Sequence, residues 1–374
     1  MKILLISRWF NKSGGISKYV VELAERFVNE HETHLLTTKY DYKVSDLIVH
    51  KKPMIEKPLW LQILSNVYYN TKYAKKLKKD FAIDIIHSQG SESLFCDVVT
   101  MHSCHKAWVN YYKSWNHTKN IKALLNPVNN IVLQVEKRIV ESNSKIIIAV
   151  SEGVKREILK YYNVPEEKIV VIQPGVDLEK FKPNRKKRRK IREKYGIHDD
   201  EVVLMFSGHE FERKGLKYII EALSIIKKDN DNIKLFVVGR DNPKPYIVLA
   251  QKLGVVDNII FAGFVPDITE YYAASDIFVF PTAYEAFSLA TLEAAASGLP
   301  ILATKVNGTE ELINEGYNGY FIKRNSKYIA EKINILVEDK NLRKKMSRNA
   351  RKIAENYSWD IVAEKTLKIY ELLL

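Results

Sequence analysis

Short apolar runs recur along the chain, and most are followed by turn residues and then by apolar residues at helical spacing. In the first half they are KILLIS (2–7), THLLTT (33–38), DIIHS (84–88), VVTMHS (98–103), KIIIAVS (145–151) and KIVVIQPG (168–175). In the second half they are VVLMFSG (202–208), KLFVVG (234–239), NIIFAG (258–263), IFVFP (277–281) and PILAT (300–304). Continuous apolar runs predict strands buried on both faces, as in parallel sheets covered by helices. Strands that alternate with helices predict βαβ units.

The set of strands restarts after the segment QPGVDLEKFKP (173–183). Because 374 residues exceed what one core usually supports, we predict two doubly wound α/β domains. The first spans 1–172, the second spans 184–358, and the segment 173–183 is the hinge between them. We also predict a C-terminal helix over 359–374, which can cross back to the first domain.

Composition excludes several classes of protein. With 46% hydrophobic and 28% charged residues, the chain is a normal globular protein. The only cysteines, Cys96 and Cys104, make no disulfide framework or zinc pattern. MKILLISRWF at the N-terminus is typical of a strand rather than a signal peptide, and no apolar run reaches the ~20 residues that span a bilayer. We therefore expect a cytoplasmic protein without a metal.

The formal net charge of +14 favours an anionic partner. The run NRKKRRKIREK (184–194) resembles a nucleic-acid or nuclear-localisation patch. It follows the predicted hinge and contains Ile191, with Tyr195 and Ile197 after it. We therefore interpret it as a solvated amphipathic helix and expect no nucleic-acid partner.

Residues 98–135 contain no acidic side chain, and aromatic and basic side chains alternate there. They are Lys106, Trp108, Tyr111, Tyr112, Lys113, Trp115, Lys119 and Lys122. One interpretation is contact with an anionic membrane surface, or with the headgroup of a lipid-linked acceptor, at the inner face of the membrane. The other is a partly buried helix pair whose lysines reach the solvent.

Ligands of open α/β sheets bind beyond the carboxyl ends of the strands. Two candidate sites of this kind lie in the first half of the chain. In SRWFNKSGGISKYVVELAERF, the Gly14-Gly15 loop precedes a helix that starts near Ile16, and such a helix start favours anions. The absence of G-x-G-x-x-G argues against a dinucleotide. His102 ends the strand VVTM; His87 and His105 are weaker candidates.

A third candidate is the segment FSGHEFERKGLKYIIEAL. A strand ends at Ser207-Gly208, and Arg213-Lys214-Gly215 is predicted to open a helix. Two cations at a helix N-terminus are unfavourable for the helix dipole, so a bound anion would relieve that cost. Arginine and lysine together suit a diphosphate.

The fourth candidate is YEAFSLATLEAAASGLP (284–300). The helix is predicted to begin near Ser288, a plausible N-cap, so Glu285 belongs to the loop before it. Glu293 lies in the second turn of an otherwise apolar helix, where an unpaired carboxylate is costly. A pair of ligand hydroxyls would satisfy it; a salt bridge to a lysine is the alternative.

Together these segments resemble the retaining glycosyltransferases of family 4 (glycosyl transferases group 1), which have the GT-B fold of two Rossmann-like domains facing a central cleft. The family signature is a glutamate, an aromatic-glycine pair and a second glutamate after seven intervening residues. Here it stands as Glu285-Ala286-Phe287-Ser288 through Glu293. Arg213 and Lys214 match the basic pair, Gly15 the N-terminal loop and His102 the strand-end histidine, and the likeness runs essentially end to end.

The resemblance implies a transferase of hexosyl type that acts on a nucleotide-diphospho sugar, with UDP-sugar favoured over GDP-sugar and no cofactor or metal. Arg213 and Lys214 would neutralise the diphosphate, and Glu285 would bind sugar hydroxyls. The implied donor-binding residues are Gly14, Gly15, Arg213, Lys214, Val238, Gly239, Val265, Glu285, Ala286, Phe287, Ser288, Leu289 and Glu293. His102 and Gly15 would close over the sugar, Glu293 would hold the ribose, and the acceptor would bind the first domain.

The sequence departs from the family pattern at two positions. Ser288 replaces the usual glycine and narrows the space beside the sugar or phosphate. His209 stands where many relatives have arginine, which leaves one fewer permanent charge. Both departures bear on the identity of the donor. Asp229-Asn230-Asp231 resembles a metal-binding D-x-D motif, but it lies between a predicted helix and strand, so we interpret it as a turn.

Three hypotheses follow. The first is an active glycosyltransferase in the synthesis of cell-envelope polysaccharide, lipopolysaccharide or glycolipid. The second is a noncatalytic relative that binds a nucleotide-sugar as a sensor or partner subunit. The third is a nucleic-acid-binding protein that uses the basic surface, for which no recognition module is evident.

Overall fold

The computed structural model describes residues 1–115 and 127–374. The chain divides into two compact units. The first contains Met1–Gly175 together with Trp359–Leu374, and the second contains Val176–Ser358. Each unit is built around its own parallel sheet. Among the described residues, no helix is both long enough and apolar enough to cross a bilayer.

The first unit holds a seven-stranded sheet with the order β5-β3-β1-β6-β7-β8-β9, and a separate pair β2-β4. Its strands are β1 Lys2–Ile6, β2 Trp9–Phe10, β3 Glu32–Thr37, β4 Lys39–Tyr40, β5 Ile48–Lys51, β6 Ile85–Gln89, β7 Val98–Met101, β8 Ile146–Ala149 and β9 Ile169–Val171. The pairings are parallel, with Leu4 opposite His34 and Ile86. All carboxyl ends of the main sheet therefore meet at one edge.

The helices of the first unit cover that sheet because their apolar faces bury against it. They are α1 Gly15–Phe27, α2 Leu59–Phe81, α3 His105–Trp115, α4 Pro127–Arg138, which continues as a π-helical turn Ile139–Asn143, and α5 Glu152–Tyr161. Helix α5 begins where the Ser151 side chain accepts the N–H of Val154. Such a cap satisfies one backbone donor that the helix itself leaves unpaired.

The second unit holds a six-stranded parallel sheet with the order β12-β11-β10-β13-β14-β15. Its strands are β10 Val202–Ser207, β11 Ile233–Val238, β12 Ile259–Gly263, β13 Ile277–Phe280, β14 Ile301–Thr304 and β15 Gly319–Ile322. Every residue of β10, β13 and β14 is buried. The strand order reverses beside β10, where a doubly wound sheet leaves a crevice for ligands.

The helices of the second unit follow its strands in turn. They are α6 Arg185–Lys194, α7 Phe211–Lys214, α8 Leu216–Ile226, α9 Lys244–Lys252, α10 Ile268–Ala274, α11 Leu289–Ala296, α12 Thr309–Leu312, α13 Ser326–Glu338 and α14 Lys340–Ala354. Asparagine or aspartate side chains cap α6, α10, α13 and α14.

The basic run 184–194 forms the predicted helix, α6, but it is more than a solvated face. Arg192 is 3% exposed, and its guanidinium donates to the Asp276 carboxylate at 2.6 Å. Arg188 donates to the other oxygen of Asp276 at 2.8 Å. A buried arginine needs such a partner. Part of the basic run is therefore structural.

Each of the eleven apolar runs contains a strand of the two sheets. Ten agree within two residues at each end, and β9 ends four residues before the run 168–175 does. Four strands of the described part of the chain were not predicted. β2 and β4 are two residues long and pair only with each other. β5 and β15 lie at sheet edges and are only partly buried. Their sequences lack a strong apolar signal because an edge strand buries less surface.

The C-terminal helix α15, Trp359–Glu371, belongs to the first unit. Trp359 is 2% exposed and meets Tyr19 edge-on at 5.6 Å between ring centroids. The Tyr370 hydroxyl lies 2.6 Å from Nδ1 of His87 in the core. Gly175 fits because a Cβ there would lie 2.7 Å from the Trp359 ring. The first unit therefore depends on residues from both ends of the chain.

We predict that Trp359→Ala lowers the free energy of unfolding by roughly 3–5 kcal/mol, because it opens a cavity under α15. Urea denaturation followed by circular dichroism measures the change. Trp60→Ala removes a tryptophan that is 41% exposed, and it should cost less than about 1 kcal/mol. If Trp359→Ala lowers the free energy of unfolding by no more than Trp60→Ala does, the packing of α15 does not stabilise the unit.

Candidate functional site

The cationic pair Arg213 and Lys214 lies at the carboxyl edge of the second sheet, just after β10. The prediction that the pair opens the long helix is wrong. Phe211–Lys214 forms a separate four-residue turn, and α8 begins at Leu216. Gly215 separates the two with φ of 80°. The cations therefore end a short turn, and neighbouring carboxylates compensate their charge.

Glu285 brings the two cations together. Its Oε1 accepts from Lys214 Nζ at 3.0 Å and from an Arg213 guanidinium nitrogen at 3.1 Å. The side chains of all three residues are only 12–13% exposed. At this burial the ion pairs are screened less than surface pairs. Burial opposes the charge of Arg213, but Glu285 and Glu210 offset it and raise the pKa of the guanidinium.

Two glycines position the cations. A Cβ on Gly208 would lie 2.6 Å from Cδ of Lys214, so glycine leaves room for the lysine side chain. The ammonium group lies 4.5 Å from the Phe280 ring centroid, a cation–π distance. At Gly215, a Cβ would lie 2.4 Å from the Pro281 carbonyl oxygen. The Lys214 ammonium is thereby held against the end of β13.

Sequence reasoning missed three members of this cluster. Thr282 donates its hydroxyl to Glu285 Oε1 at 2.9 Å, and Glu210 accepts from Arg213 Nε at 3.0 Å. Arg324 donates to the backbone oxygens of Pro281 and Glu212 at 3.1 and 3.2 Å. Thr282 lies three residues before Glu285, and Glu210 lies three residues before Arg213. Their closeness in sequence to predicted site residues could have identified both. Arg324 lies 43 residues after Pro281 and 112 residues after Glu212, and no motif marks it.

Helix α11 begins as predicted at Ser288, whose Oγ accepts the N–H of Thr291 at 3.3 Å. The N–H groups of Leu289 and Ala290 have no intrahelical acceptor because they lie in the first turn. Ala286 and Phe287 belong to the loop before the cap, and Phe287 is 8% exposed. A helix start with available N–H groups thus follows Glu285 by three residues, and such a start favours an anion.

Glu293 lies in the second turn of α11 and is half-buried. The Tyr272 hydroxyl donates to its Oε2 at 3.4 Å and also lies 3.3 Å from the Ala290 carbonyl oxygen. Tyr272 is fully buried, and burial, together with the Glu293 carboxylate, raises the pKa of its phenol well above the ordinary value. The phenol therefore stays protonated and holds the carboxylate in place.

Further along the same edge, β10, β11 and β12 are joined at their carboxyl ends. Gly208 N–H donates to Val238 O, and Gly239 N–H donates to Gly263 O, both at 2.9 Å. A Cβ at Gly239 would lie 1.8 Å from Gly208 O. Val265 follows β12 in a partly exposed loop. His209, at the position of the second family departure, accepts the Arg240 N–H at 2.9 Å through Nδ1.

In the first unit, His102 directly follows β7. Its Nε2 lies 2.8 Å from Oε1 of Gln89, which ends β6, and its ring meets Tyr19 edge-on. Burial lowers the pKa of His102 to about 4. The imidazole is therefore neutral at pH 7 and can donate or accept a hydrogen bond, but it carries no charge.

The Gly14-Gly15 loop lies at the same edge, after β1. Helix α1 begins at Gly15, one residue before the predicted start, with Gly14 as its N-cap. A Cβ at Gly14 would meet nothing within 4 Å. Packing within the unit therefore does not require glycine there. Both glycines line a cavity of about 430 Å³.

The two weaker histidine candidates have structural environments. His87 is fully buried, with Tyr370 and Thr100 hydroxyls at 2.6 and 2.7 Å, and burial lowers its pKa to about 3. His105 stacks on Trp108 at 5.9 Å. The described residues contain no group of three or more metal-ligating side chains. Asp231 of the D-x-D-like triplet lies in a loop and accepts from Asn258 at 2.8 Å.

The acid-free window 98–135 is only partly described: Lys119, Lys122 and the Trp115 side chain lie outside the described residues. Trp108 and Tyr112 stack at 5.3 Å and are half-buried. Exposed apolar side chains occur instead on α2, at Leu59, Trp60, Leu64 and Tyr68. Sequence reasoning did not identify this second set.

The geometry of the second unit suits a doubly charged, oxygen-rich ligand. The segments that follow β10 and β13 bring together two cations, the carboxylate that they share and the start of α11. Such fixed charges can stabilise negative charge that develops during a reaction. A second carboxylate, Glu293, lies in the second turn of the helix that begins there.

Two family models cover most of the chain. The model for "Glycosyltransferase Family 4" matches residues 13–180, and the model for "Glycosyl transferases group 1" matches residues 187–353. The break between them falls between residues 180 and 187.

Two curated relatives match over most of their length. An uncharacterized glycosyltransferase of Methanocaldococcus jannaschii is 28% identical over 96% of this chain and 95% of the relative. The N,N'-diacetylbacillosaminyl-diphospho-undecaprenol alpha-1,3-N-acetylgalactosaminyltransferase of Campylobacter jejuni is 30% identical over 83% of this chain and 82% of the relative.

Two solved structures show the fold. WaaG, described as a glycosyltransferase involved in lipopolysaccharide biosynthesis, aligns with a TM-score of 0.80 at 22% identity, over 98% of this chain and 99% of that chain. HepE of Anabaena in complex with UDP-glucose aligns with a TM-score of 0.74 at 20% identity, over 99% of both chains. The predicted GT-B fold is confirmed.

The shared carboxylate leads to a prediction about anion binding. Glu285 competes with a ligand anion for Arg213 and Lys214, so Glu285→Gln should bind inorganic pyrophosphate about tenfold more tightly, a gain of ~1.4 kcal/mol. Lys214→Gln should bind it at least tenfold more weakly. Isothermal titration calorimetry measures both constants.

Lys217→Gln is the matched control, because Lys217 is exposed one turn further along the chain. Its affinity for pyrophosphate should equal that of the original protein. If Glu285→Gln weakens pyrophosphate binding, the carboxylate does not compete for the cations.

Proposed function

This chain belongs to the glycosyl transferases group 1 of glycosyltransferase family 4, and from that membership we propose that it transfers a hexosyl group from a nucleotide-diphospho sugar with retention of configuration. The acceptor is a glycan, a lipid-linked glycan or a small molecule, and the product serves synthesis of cell-envelope polysaccharide, lipopolysaccharide or glycolipid. The observation that carries the proposal is Glu285 held between Arg213 and Lys214 beside the start of α11.

Arg213 and Lys214 bind the diphosphate in this proposal. Glycosyl transfer breaks the bond between the anomeric carbon and the diphosphate, and an acceptor hydroxyl oxygen forms the new bond to that carbon. The hydroxyl proton leaves with the diphosphate, on whose oxygen negative charge grows as the old bond breaks. Lys214, held by Gly208 and Phe280, and Arg213, held by Glu210, are already in place to stabilise that charge. We propose that they take the place of a metal ion, and that the N–H groups of Leu289 and Ala290 add further donors.

Glu285 exchanges partners when the donor binds. As the diphosphate takes over Arg213 and Lys214, the carboxylate becomes available to accept sugar hydroxyls. Glu293, positioned by the Tyr272 phenol, accepts the ribose hydroxyls. We place the base near Val238, Gly239 and Val265, and the backbone of Ala286 and Phe287 beside the sugar.

Gly14, Gly15 and His102 contribute from the first unit in this proposal. The empty space over Gly14 lets a sugar approach the backbone. Neutral His102 offers one ring nitrogen to a hydroxyl while Gln89 engages the other. The acceptor binds this unit.

UDP is the favoured nucleotide of the donor, and GDP is the second candidate. The support is the HepE structure, which contains UDP-glucose in the same fold. Ser288 in place of glycine and His209 in place of arginine are the positions at which this chain could select a different sugar.

A lipid-linked acceptor at the cytoplasmic face of a membrane is supported by the surface of α2. Trp60, Leu64 and Tyr68 recur every four residues, so they share one helix face, and they are 40–58% exposed. Exposed lysines continue the same helix at Lys72, Lys75, Lys76 and Lys79. Aromatic and basic side chains together favour an anionic membrane interface.

We therefore predict that the protein co-sediments with vesicles that contain phosphatidylglycerol and much less with pure phosphatidylcholine. The double variant Trp60→Ser/Tyr68→Ser should bind at least tenfold more weakly, a loss of about 1.4 kcal/mol. Val248→Ser changes a residue of the second unit that is 63% exposed and should bind like the original protein. Binding that ignores anionic lipid would contradict the proposal.

The donor class is tested by thermal stabilisation with UDP, GDP, ADP, dTDP and their sugar conjugates, with NAD as a control and each ligand measured with and without EDTA. Ligand at ~100 times its dissociation constant adds about 2.7 kcal/mol of stability. We expect stabilisation by one nucleotide, UDP first, that EDTA does not reduce. A response to NAD alone, or loss of the response in EDTA, would overturn the proposed donor chemistry.

Site variants complete this test. Lys214→Ala and Glu285→Gln should abolish transfer while the protein stays folded, and Lys217→Ala should leave it unchanged. Release of UDP from the UDP-sugar is the measurement. Full activity in both site variants would refute the assigned roles. Nucleotide binding without any turnover would favour a noncatalytic sensor.

A further inference from the structure

Three charged side chains meet at the carboxyl edge of the first sheet, outside the residues assigned so far. Arg8 follows β1, Lys52 follows β5, and Glu92 ends the short 3-10 turn Gly90–Glu92 after β6. All three therefore lie where strands of this sheet end, which is where ligands of such sheets bind.

The cluster is buried. Lys52 is 5% exposed, and its ammonium donates to Asn66 Oδ1 at 2.7 Å and Thr38 Oγ1 at 3.0 Å. The Arg8 and Glu92 side chains are 22% and 14% exposed. Their closest charged atoms, Arg8 Nε and Glu92 Oε1, are 3.7 Å apart. That separation makes an ion pair but exceeds hydrogen-bond length.

Several buried polar atoms of this cluster have no partner. They are Arg8 Nε, Glu92 Oε2, Asn66 Nδ2 and Asn70 Oδ1. Asn66 contacts Lys52, and Asn70 donates to the Glu92 carbonyl at 2.8 Å, so the four atoms belong to one neighbourhood. A buried polar atom without a hydrogen-bond partner is unfavourable, and native structures contain few of them. Two of the four atoms, on Arg8 and Glu92, belong to side chains that line a cavity, where a polar ligand can approach them.

The cluster opens on the cavity beside the Gly14-Gly15 loop. Arg8 and Glu92 line that cavity of about 430 Å³, together with the polar side chains of Ser7, Asn11, Ser13 and Ser17. The volume is large enough for a monosaccharide. Burial raises the pKa of the Glu92 carboxyl to about 7, against the influence of Arg8 and Lys52.

We propose that Arg8 and Glu92 are specificity-determining residues for the acceptor, and that they select a sugar carrying an anionic group, phosphate or carboxylate, next to the hydroxyl that is bound. The inference rests on the proposed function, because it assumes that the acceptor binds this unit. The cluster holds two cations against one carboxylate, so an added anion balances it.

Arg8 and Glu92 bind different groups of the ligand in this proposal. The Arg8 guanidinium lies 5.6 Å from the Trp9 ring centroid, which restricts its position. A guanidinium can bind the two oxygens of a phosphate or carboxylate together. The Glu92 carboxylate, whose side chain lines the cavity and is 14% exposed, accepts a sugar hydroxyl. Lys52 lies behind both, and although burial lowers the pKa of its ammonium to about 8, most of it is charged at pH 7.

The test measures binding of glucose, glucose 6-phosphate and glucuronate by calorimetry, with saturating UDP present and again in Lys214→Gln, so that the donor cations do not contribute. We expect the two anionic sugars to bind at least tenfold more tightly than glucose. Comparison of the phosphate with the carboxylate identifies which anion the site prefers. Arg8→Gln should remove the preference.

Glu92→Gln separates recognition from a purely structural role. It should bind glucose 6-phosphate more tightly, because it removes a carboxylate that repels the anion. Lys160→Gln removes an exposed cation of the same unit and should change nothing. UDP stabilisation should persist in Arg8→Gln, which also reports that the variant is folded.

The outcomes separate this inference from the proposed function. If UDP binds but no anionic sugar does, or if the preference survives in Arg8→Gln, the acceptor assignment is wrong and the donor chemistry stands. If an Arg8-dependent anionic sugar binds without any response to UDP, the site exists and the proposed transferase donor is wrong.

Discussion

The second unit depends on one carboxylate that two cations share. Arg213 and Lys214 approach each other within a short turn, and without Glu285 their like charges would be buried at 12–13% exposure with no common counter-ion. The surrounding features serve this contact: Gly208 makes room for Lys214, Gly215 redirects the chain, and Arg324 holds the two loops by their carbonyls. A site so organised is prepared for an anion that takes the place of one partner.

The same logic explains why both glutamates of the signature lie where they do. Glu285 belongs to the loop, where it reaches the cations, and Ser288 then starts α11. Glu293 lies two turns later, supported by a buried phenol that cannot ionise near neutral pH. One helix start thus stands between a carboxylate for the sugar and a carboxylate for the ribose in the proposed reaction.

Among the described residues, the carboxyl edge of the first sheet lacks a shared ion pair of the kind that Glu285 makes in the second unit. That edge has neutral His102, with a pKa near 4, and an open glycine loop. Beside them stands a mixed-charge cluster whose hydrogen bonds are incomplete. In the proposed reaction this cluster would discriminate between acceptors, because buried polar groups that the wrong ligand leaves unpaired penalise its binding.

The sequence by itself determined the eleven principal strands, their parallel arrangement in two sheets, the Ser288 cap and the association of Arg213, Lys214, Glu285 and Glu293 with one edge. These features follow from local periodicity and from the rule that strand ends carry the site. Only the tertiary structure decided the remainder. Edge strands, the separate turn before α8, the Arg324 clamp, the buried role of Arg192 and the Arg8–Glu92 cluster each depend on contacts between segments far apart in the chain. Burial and charge pairing arise when those segments pack together, and a single sequence carries no local pattern that shows which distant side chains will meet.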